Sequence, residues 1–403
     1  MCDYCAWIAE ILAKIDATEK KKPLRADPVV IVHGGAGKIP RYARKFMLEE
    51  VKKAAVAAYC DLIKGRSSLD AVERAIRHLE RKKYFNCAFG GSLDANGEVV
   101  MDAAIMTDDF RAGCVGAVRN ISHPITLAKK ILQDTEHVLI VETGAQKLAL
   151  ESGMPNLSSD QLIVTSESQT SLHEEEDDEA RKMEEPLRDE NERSKKDCVP
   201  GCAIERNKKM KRYEEIQSLL EVISFTKLME SFELDFNFIQ VGAVGAVAYD
   251  RKKHLAAGTS TAGESGKLYG NVSATGTTIG CGIYVNEAGA VSVSGCDKAI
   301  YKYAPANQIL RRLQSQRKSA SSDQVLSAVF KSFEIETGTT DIGAIALTAN
   351  GVPSVSFRCP HFPWAYCDKG YVHYGCARHE KFLEKVDVVE RPLDCVCDED
   401  ASN

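Results

Sequence analysis

Gly242-Ala243-Val244-Gly245-Ala246-Val247-Ala248-Tyr249-Asp250 is an unbroken apolar run of strand length that closes on an acid. Without a polar residue on either face, it reads as part of a buried strand over 241–249. Arg251-Lys252-Lys253 then exposes the chain in a turn, and strand signal resumes over 255–259, 280–285 and 290–294. Two helices follow, around 298–313 and 323–333, with further strands at 342–347 and 354–357. In the other direction, Val29-Val30-Ile31-Val32 is a β-branched run that fits a second buried strand. It runs straight into His33-Gly34-Gly35-Ala36-Gly37. Helical spacing covers 46–64. A second helix starts near Ser68, a capping residue type, and passes through Ala71, Val72, Ala75, Ile76 and Leu79. Short strands fit 98–101 and 114–118. Ser122 and Pro124 open one more helix, the hydroxyl as cap and the proline in the first turn.

Helices grouped after runs of strands point to an α+β fold with sheet packed on sheet under helices, not a regular parallel array. Organisation follows composition. Residues 1–27 form a charged leader, and its apolar patch 6–12 reads as a small amphipathic helix because no basic stretch precedes it as in a signal peptide. Residues 28–156 form one structured half and 241–380 the other. Between them, 157–240 carries six consecutive acids at 174–179 and a basic cluster at 208–212. Such a segment buries too little apolar surface to fold alone and reads as a largely disordered linker, with one helix possible over 213–229. Residues 381–403 are a C-terminal tail.

The 403 residues suffice for one large domain with attachments. A net charge of −6 argues against a dedicated nucleic-acid binder, and no apolar run reaches the ~20 residues that a membrane helix needs. The 14 cysteines are scattered and often sit in apolar segments, which fits free thiols in a reducing cytoplasm. The pairs Cys2/Cys5, Cys198/Cys202 and Cys395/Cys397 match no paired zinc module, and His361, His373 and His379 have no ligand spacing, so no metal is expected.

The motifs gain force together. Phe85-Asn86-Cys87-Ala88-Phe89-Gly90-Gly91-Ser92-Leu93 leads into Gly97-Glu98-Val99-Val100-Met101-Asp102-Ala103-Ala104-Ile105-Met106. Ala112-Gly113-Cys114-Val115-Gly116-Ala117-Val118 and Ile121-Ser122-His123-Pro124-Ile125 follow. In order and spacing these resemble the α half of the isoaspartyl peptidase/plant-type asparaginase family. The stretches 241–263 and 289–295, and Phe362-Pro363-Trp364-Ala365, resemble its β half. The resemblance spans roughly 28–155 and 241–375. It implies a four-layer αββα sandwich of the N-terminal-nucleophile hydrolase type. It also implies self-cleavage before a threonine whose freed amino group is its own base. That hydroxyl would hydrolyse an asparagine side-chain amide or a β-aspartyl peptide bond, with no cofactor. The length of the linker resembles the threonine aspartase branch of the same superfamily, whereas Phe362-Pro363-Trp364 favours the asparaginase branch.

Carried over residue by residue, the resemblance puts Ala243 at the nucleophile position, without the hydroxyl that must attack. Thr261 falls at the supporting-threonine position, Ser294 and Gly295 at the oxyanion site, and Asn86 near the nucleophile. His33 falls where the family has a structural histidine. The family's substrate clamp, Gly-Arg-Val-Gly-Asp, reads Gly270-Asn271-Val272-Ser273-Ala274 here. Asn271 therefore replaces the arginine that grips the substrate carboxylate, and Ala274 the acid that holds its amino group. After Gly295 the chain has Asp297-Lys298 where the family has Gly-Glu. Loss of nucleophile and clamp together points to an uncleaved pseudoenzyme, for which binding of asparagine or a β-aspartyl peptide is doubtful. The alternatives are an active hydrolase with a substituted nucleophile (Thr259, Thr261 or Cys296) or a non-catalytic partner of an active relative. The resemblance implies a homodimer or such a heterodimer.

Overall fold

The strand Val29–His33 (β1) is buried at all five positions and lies near the middle of a nine-stranded sheet. The computed structural model describes residues 26–163, 241–316 and 320–386, all within one compact unit. The apolar patch at 6–12, the acidic and basic runs, the helix expected at 213–229 and the three close cysteine pairs lie outside the described residues.

The strands in chain order are β1, then β2 (Val100–Thr107), β3 (Ala112–Arg119), β4 (Leu139–Val141), β5 (Val244–Tyr249), β6 (Leu255–Thr261) and β7 (Ile283–Asn286). They continue with β8 (Gly289–Gly295), β9 (Ile342–Thr348), β10 (Pro353–Phe357), β11 (His361–Asp368), β12 (Tyr371–Ala377) and β13 (Phe382–Lys385). The large sheet runs β13-β12-β11-β1-β5-β6-β2-β3-β4 and the small one β10-β9-β8-β7. Pairing is antiparallel except between β3 and β4. The order is interleaved: β5 and β6, from the second half of the chain, lie between β1 and β2 from the first. This gives a mixed fold of sheets and helices.

Three apolar clusters fill it. Val30, Val32, Ala246, Ala248 and Ile105 from the large sheet join residues of α1 (Arg41–Ile63), α2 (Ser68–Glu80), α3 (Pro124–Asp134) and α4 (Glu142–Glu151). Alternate residues of the same strands, among them Ile31, Val247, Ala257 and Ala104, join Val285, Ala290, Ile345 and Leu347 of the small sheet. The opposite faces of β8 and β9, through Val291, Val293, Ile342 and Ala344, pack with α6 (Asp297–Tyr303), α7 (Pro305–Ser315) and α8 (Ser322–Thr337). A strand's side chains alternate between faces, so each central strand serves two cores at once. That is why 244–249 carries no polar residue.

Local chemistry corrects details of the sequence reading. The cap of α2 is Ser67, whose hydroxyl accepts from Asp70 N at 3.2 Å. The Asp250 carboxylate, from the β5–β6 turn, accepts from Ser68 N at 3.1 Å and fixes that turn to the helix start. Ser122 does not cap α3; His123 holds the cap position without a side-chain bond there, and Pro124 opens the helix. A buried Glu80 takes over, accepting from Ile125 N at 3.1 Å and Ser260 Oγ at 2.8 Å, with His123 Nδ1 at 3.1 Å. The helix expected over 298–313 is two, because Ala304 adopts left-handed geometry (φ 50°) and Pro305 cannot continue α6. Chain outside the expected halves is also ordered by packing. Leu162 is buried in the first core, beyond the boundary at 156, and β13 pairs with β12 beyond the boundary at 380. No helix among the described residues is long and apolar enough to cross a membrane.

His33 closes β1 between the sheets, fully buried, with Nε2 2.9 Å from Ser292 Oγ and its ring stacked on Phe362 at 5.1 Å. Desolvation pushes its pKa down from 6.5 to about 3. The unfolded chain therefore binds more protons between these values. The stabilisation is fully present above about pH 6.5 and is lost as pH falls towards about 3. His33→Gln should flatten the fall of unfolding free energy between about pH 6 and 4 by about 1.4 kcal/mol per pH unit. Urea denaturation across that range checks this, and parallel slopes in the two proteins would contradict it.

Candidate functional site

The chain enters β5 through Val241-Gly242-Ala243, and this tripeptide is gripped from two sides. Gly242 N donates to Ala36 O at 2.8 Å, and Ala36 N donates to Ser294 Oγ at 2.9 Å. Val241 pairs with Gly37 in an isolated bridge. A Cβ on Gly242 would stand 2.5 Å from Ser294 Oγ and 2.7 Å from Gly295 N. At Gly35, where φ is +103°, one would stand 2.6 Å from Gly242 O. Two glycines are therefore required here by close approach of backbone to backbone.

Beside this crossing lies a cavity of ≈ 360 Å³, the size of a small-molecule site, with Ala243 and Gly295 in its wall. Of the residues singled out from sequence, Asn86, Thr261, Ala243 and Gly295 line it together. Asn86 acts as a bracket: Nδ2 donates to Val241 O at 3.1 Å and to Gly263 O at 2.8 Å, and Oδ1 accepts from Ser92 N at 2.9 Å. Thr261, at the end of β6, accepts from Gly263 N at 3.0 Å through its hydroxyl. Ser294 is buried and is not in the lining; its hydroxyl is taken up by Ala36 N. Thr259 donates to Val244 O at 3.0 Å and is likewise not in the lining, whereas Cys296 lines the cavity. Asn271 is exposed and outside the lining, and Ala274 is buried just behind Ser273 and Thr275, which do line it.

Four charged groups that sequence reasoning did not place organise this region. Asp297, in the first turn of α6, holds the segment leading into the short helix α5 (Ala274–Thr277). Its carboxylate accepts from Ser273 Oγ at 2.6 Å, Ala274 N at 3.0 Å, Thr275 N at 2.8 Å and Thr275 Oγ1 at 2.7 Å. The fully buried Asp102 accepts from Ser273 N at 2.7 Å and Ala117 N at 2.8 Å, with Lys267 Nζ at 3.6 Å. Desolvation raises the Asp102 pKa, and Lys267 and the backbone donors oppose it. Asp341 lines the cavity, with Oδ1 buried and without a hydrogen-bond partner, and desolvation raises its pKa. The departure at 297 was visible in the sequence, but its partners lie more than twenty positions away and no local pattern points to them.

Chemically, the wall offers hydroxyls from Thr261, Ser92, Ser265, Ser273 and Thr275, one thiol, and the carboxylates of Glu264, Asp297 and Asp341. Among the described residues, no histidine, lysine or arginine is in the lining. No group of His, Cys, Asp and Glu able to hold a metal ion occurs among the described residues.

A family model described as asparaginase matches residues 26–376, so the chain belongs to the asparaginase family. Individual relatives are similar over nearly their whole length. The isoaspartyl peptidase/L-asparaginase of Danio rerio is 29% identical over 362 residues, which cover 89% of this chain and 98% of that protein. The probable isoaspartyl peptidase/L-asparaginase of Drosophila melanogaster is 31% identical over 359 residues (86% and 95%). The plant-type L-asparaginase of Pyrococcus horikoshii is 30% identical over 344 (85% and 96%).

The packing at Gly242 generates a test. Gly242→Ala should destabilise the fold by about 2 kcal/mol, because the Ser294–Gly295 backbone must move to admit a methyl group. Denaturant midpoints of the two proteins measure this, and an unchanged midpoint would show that the crossing is looser than its distances indicate.

Proposed function

We propose that this chain is a non-catalytic member of the asparaginase family, one that stays a single uncleaved polypeptide and has exchanged hydrolysis for binding. The observation that carries this is Ala243, which stands in the cavity wall with a methyl group where family chemistry requires a nucleophilic hydroxyl. The Gly242–Ala243 peptide bond has no side chain that could open it from position 243. Loss of a nucleophile typically lowers turnover on the order of a millionfold. The absent clamp supports the same reading: Asn271 is exposed, and Ala274 presents only its N–H, to Asp297. The stacking of helices, large sheet, small sheet and helices is read as the four-layer αββα sandwich of N-terminal-nucleophile hydrolases.

The reading extends to a cytoplasmic protein, supported by the free thiols of all described cysteines. It also extends to a homodimer or a heterodimer with an active relative. Exposed Val138, Leu139, Leu268 and Tyr269 offer such a partner apolar surface. Among substituted nucleophiles, Thr261 and Cys296 reach the cavity, but no imidazole or amine among the described residues of its lining would take their proton.

Intact mass and denaturing electrophoresis of the purified chain should show one species near 44.2 kDa. Ammonia release from asparagine and aspartate release from a β-aspartyl dipeptide should stay at background. Ala243→Thr alone should not restore turnover, since Asn271 and Ala274 remain. Two fragments meeting at 242/243, or turnover in the unaltered chain, would overturn the proposal.

A further inference from the structure

The chain between β6 and α5 crosses the mouth of the cavity. Glu264 and Ser265 line the cavity and are also exposed, and Gly263 and Ser273 line it at the two ends of this segment. Both ends are held firmly. Gly263 O accepts from Asn86 Nδ2 at 2.8 Å, and Ser273 N donates to Asp102 at 2.7 Å. What lies between is not packed. Of residues 264–272, only Lys267 is buried; Leu268 and Tyr269 are 75% and 64% exposed. Gly263 and Gly270 adopt left-handed geometry (φ 73° and 75°), which glycine enters without strain, so the backbone can turn at either point. Further ties run to neighbouring turns. Gly266 N donates to Leu93 O at 2.8 Å, Ala95 N donates to Lys267 O at 2.9 Å, and the Arg119 guanidinium lies 4.5 Å from the Tyr269 ring.

Lys267 is the anchor. Its stem lies against Gly263, where a Cβ would stand 3.2 Å from Lys267 Cδ. Its Nζ donates to Val100 O at 2.9 Å and lies 3.6 Å from the buried Asp102 carboxylate. An apolar anchor would lose free energy on release. An ammonium regains its hydration, which offsets much of the attraction it gives up. A charged latch under an exposed, glycine-flanked segment therefore opens at low cost, and segments with few buried apolar contacts are the ones that open locally. We propose that 264–272 is a strap over the cavity, latched by Lys267, and that its release admits ligands. This rests on the reading of the cavity as a binding site and adds control of entry to it.

Cys296 lines the cavity, so its thiol reports entry. Iodoacetamide alkylates the thiolate with loss of iodide, and mass spectrometry of the peptide that carries Cys296 follows the rate in the folded full chain. Hydrogen exchange follows the strap itself. In the unaltered chain the Gly266 amide, although hydrogen-bonded, should exchange about a hundredfold faster than the β5–β6 ladder amides. Lys267→Met keeps the stem and removes the charge. It should speed Gly266 exchange and Cys296 alkylation about tenfold or more, with β5–β6 exchange unchanged. Tyr269→Ala, at an exposed position where the fold is not at stake, should speed both about two- to fivefold through loss of the Arg119 contact. A Gly266 amide as slow as the β5–β6 ladder, or strap exchange that speeds without faster alkylation, would overturn the inference. Faster β5–β6 exchange in step with the strap in both variants would mean loss of the fold, not release, and would overturn it equally. Cleavage at 242/243 or turnover would instead overturn the non-catalytic reading, so the two failures are separately visible.

Discussion

The pairing of β5 with β1 is the constraint on which the rest of the molecule depends. Register runs from Val29 opposite Tyr249 to His33 opposite Gly245, and β6 then joins β5 to β2. The central four strands thus alternate between the two halves of the chain, first, second, second, first. Neither half can complete this sheet alone, because each lacks the strands that satisfy the other's backbone groups. The two cores flanking the sheet inherit the same dependence, since alternate side chains of each strand feed one or the other. What the pairing also delivers is Gly242, two residues before β5, against Ala36 on one side and Ser294–Gly295 on the other.

Polar groups buried around this centre are there to hold register. His33 meets Ser292 across the two sheets. Glu80 ties α2, the start of α3 and β6 together through His123, Ile125 N and Ser260. Asp102 ties β2 to β3 through Ala117 N and to the start of α5 through Ser273 N. Each brings together elements far apart in sequence, and each carboxylate is neutralised or hydrogen-bonded by what it joins. Such groups contribute less to net stability than to fixing one arrangement, since losing a partner leaves a buried charge uncompensated.

Much of this was legible in the sequence because it depends on local pattern. The β-branched run 29–32, the polar-free run 244–249 and the spacing through 68–80 report burial directly. The glycine-rich motifs fixed the family and brought Asn86, Thr261, Ala243 and Gly295 to one cavity. What stayed hidden depends on distance. The break between α6 and α7 needed the left-handed Ala304 to be seen beside Pro305, and β13 is a strand with four exposed residues that exists only through its pairing with β12. The resemblance implied an oxyanion role for Ser294, but the partner of its hydroxyl, Ala36 N, is a tertiary fact that no local pattern shows. Asp297 was noticed as a departure, yet its function as the acceptor for Ser273, Ala274 and Thr275 is a tertiary fact.

The positions around the cavity divide along a physical line. Those that meet backbone, such as Gly35, Gly242, Gly295 and the bracket Asn86, cannot change without moving a strand. Those that face the cavity or solvent, such as Ala243 and Asn271, carry no side-chain hydrogen bond or ion pair among the described residues, so less of the fold rests on what their side chains offer. Asp297 belongs to both classes: it meets backbone and faces the cavity. A carboxylate at 297 satisfies the segment carrying Ala274 from outside, so an acid at 274 itself would meet Asp297 as a like charge. Placing an acid at 274 would therefore cost Coulomb repulsion unless 297 also changed. Positions 274 and 297 are thus electrostatically coupled, and a change of charge at one is felt at the other.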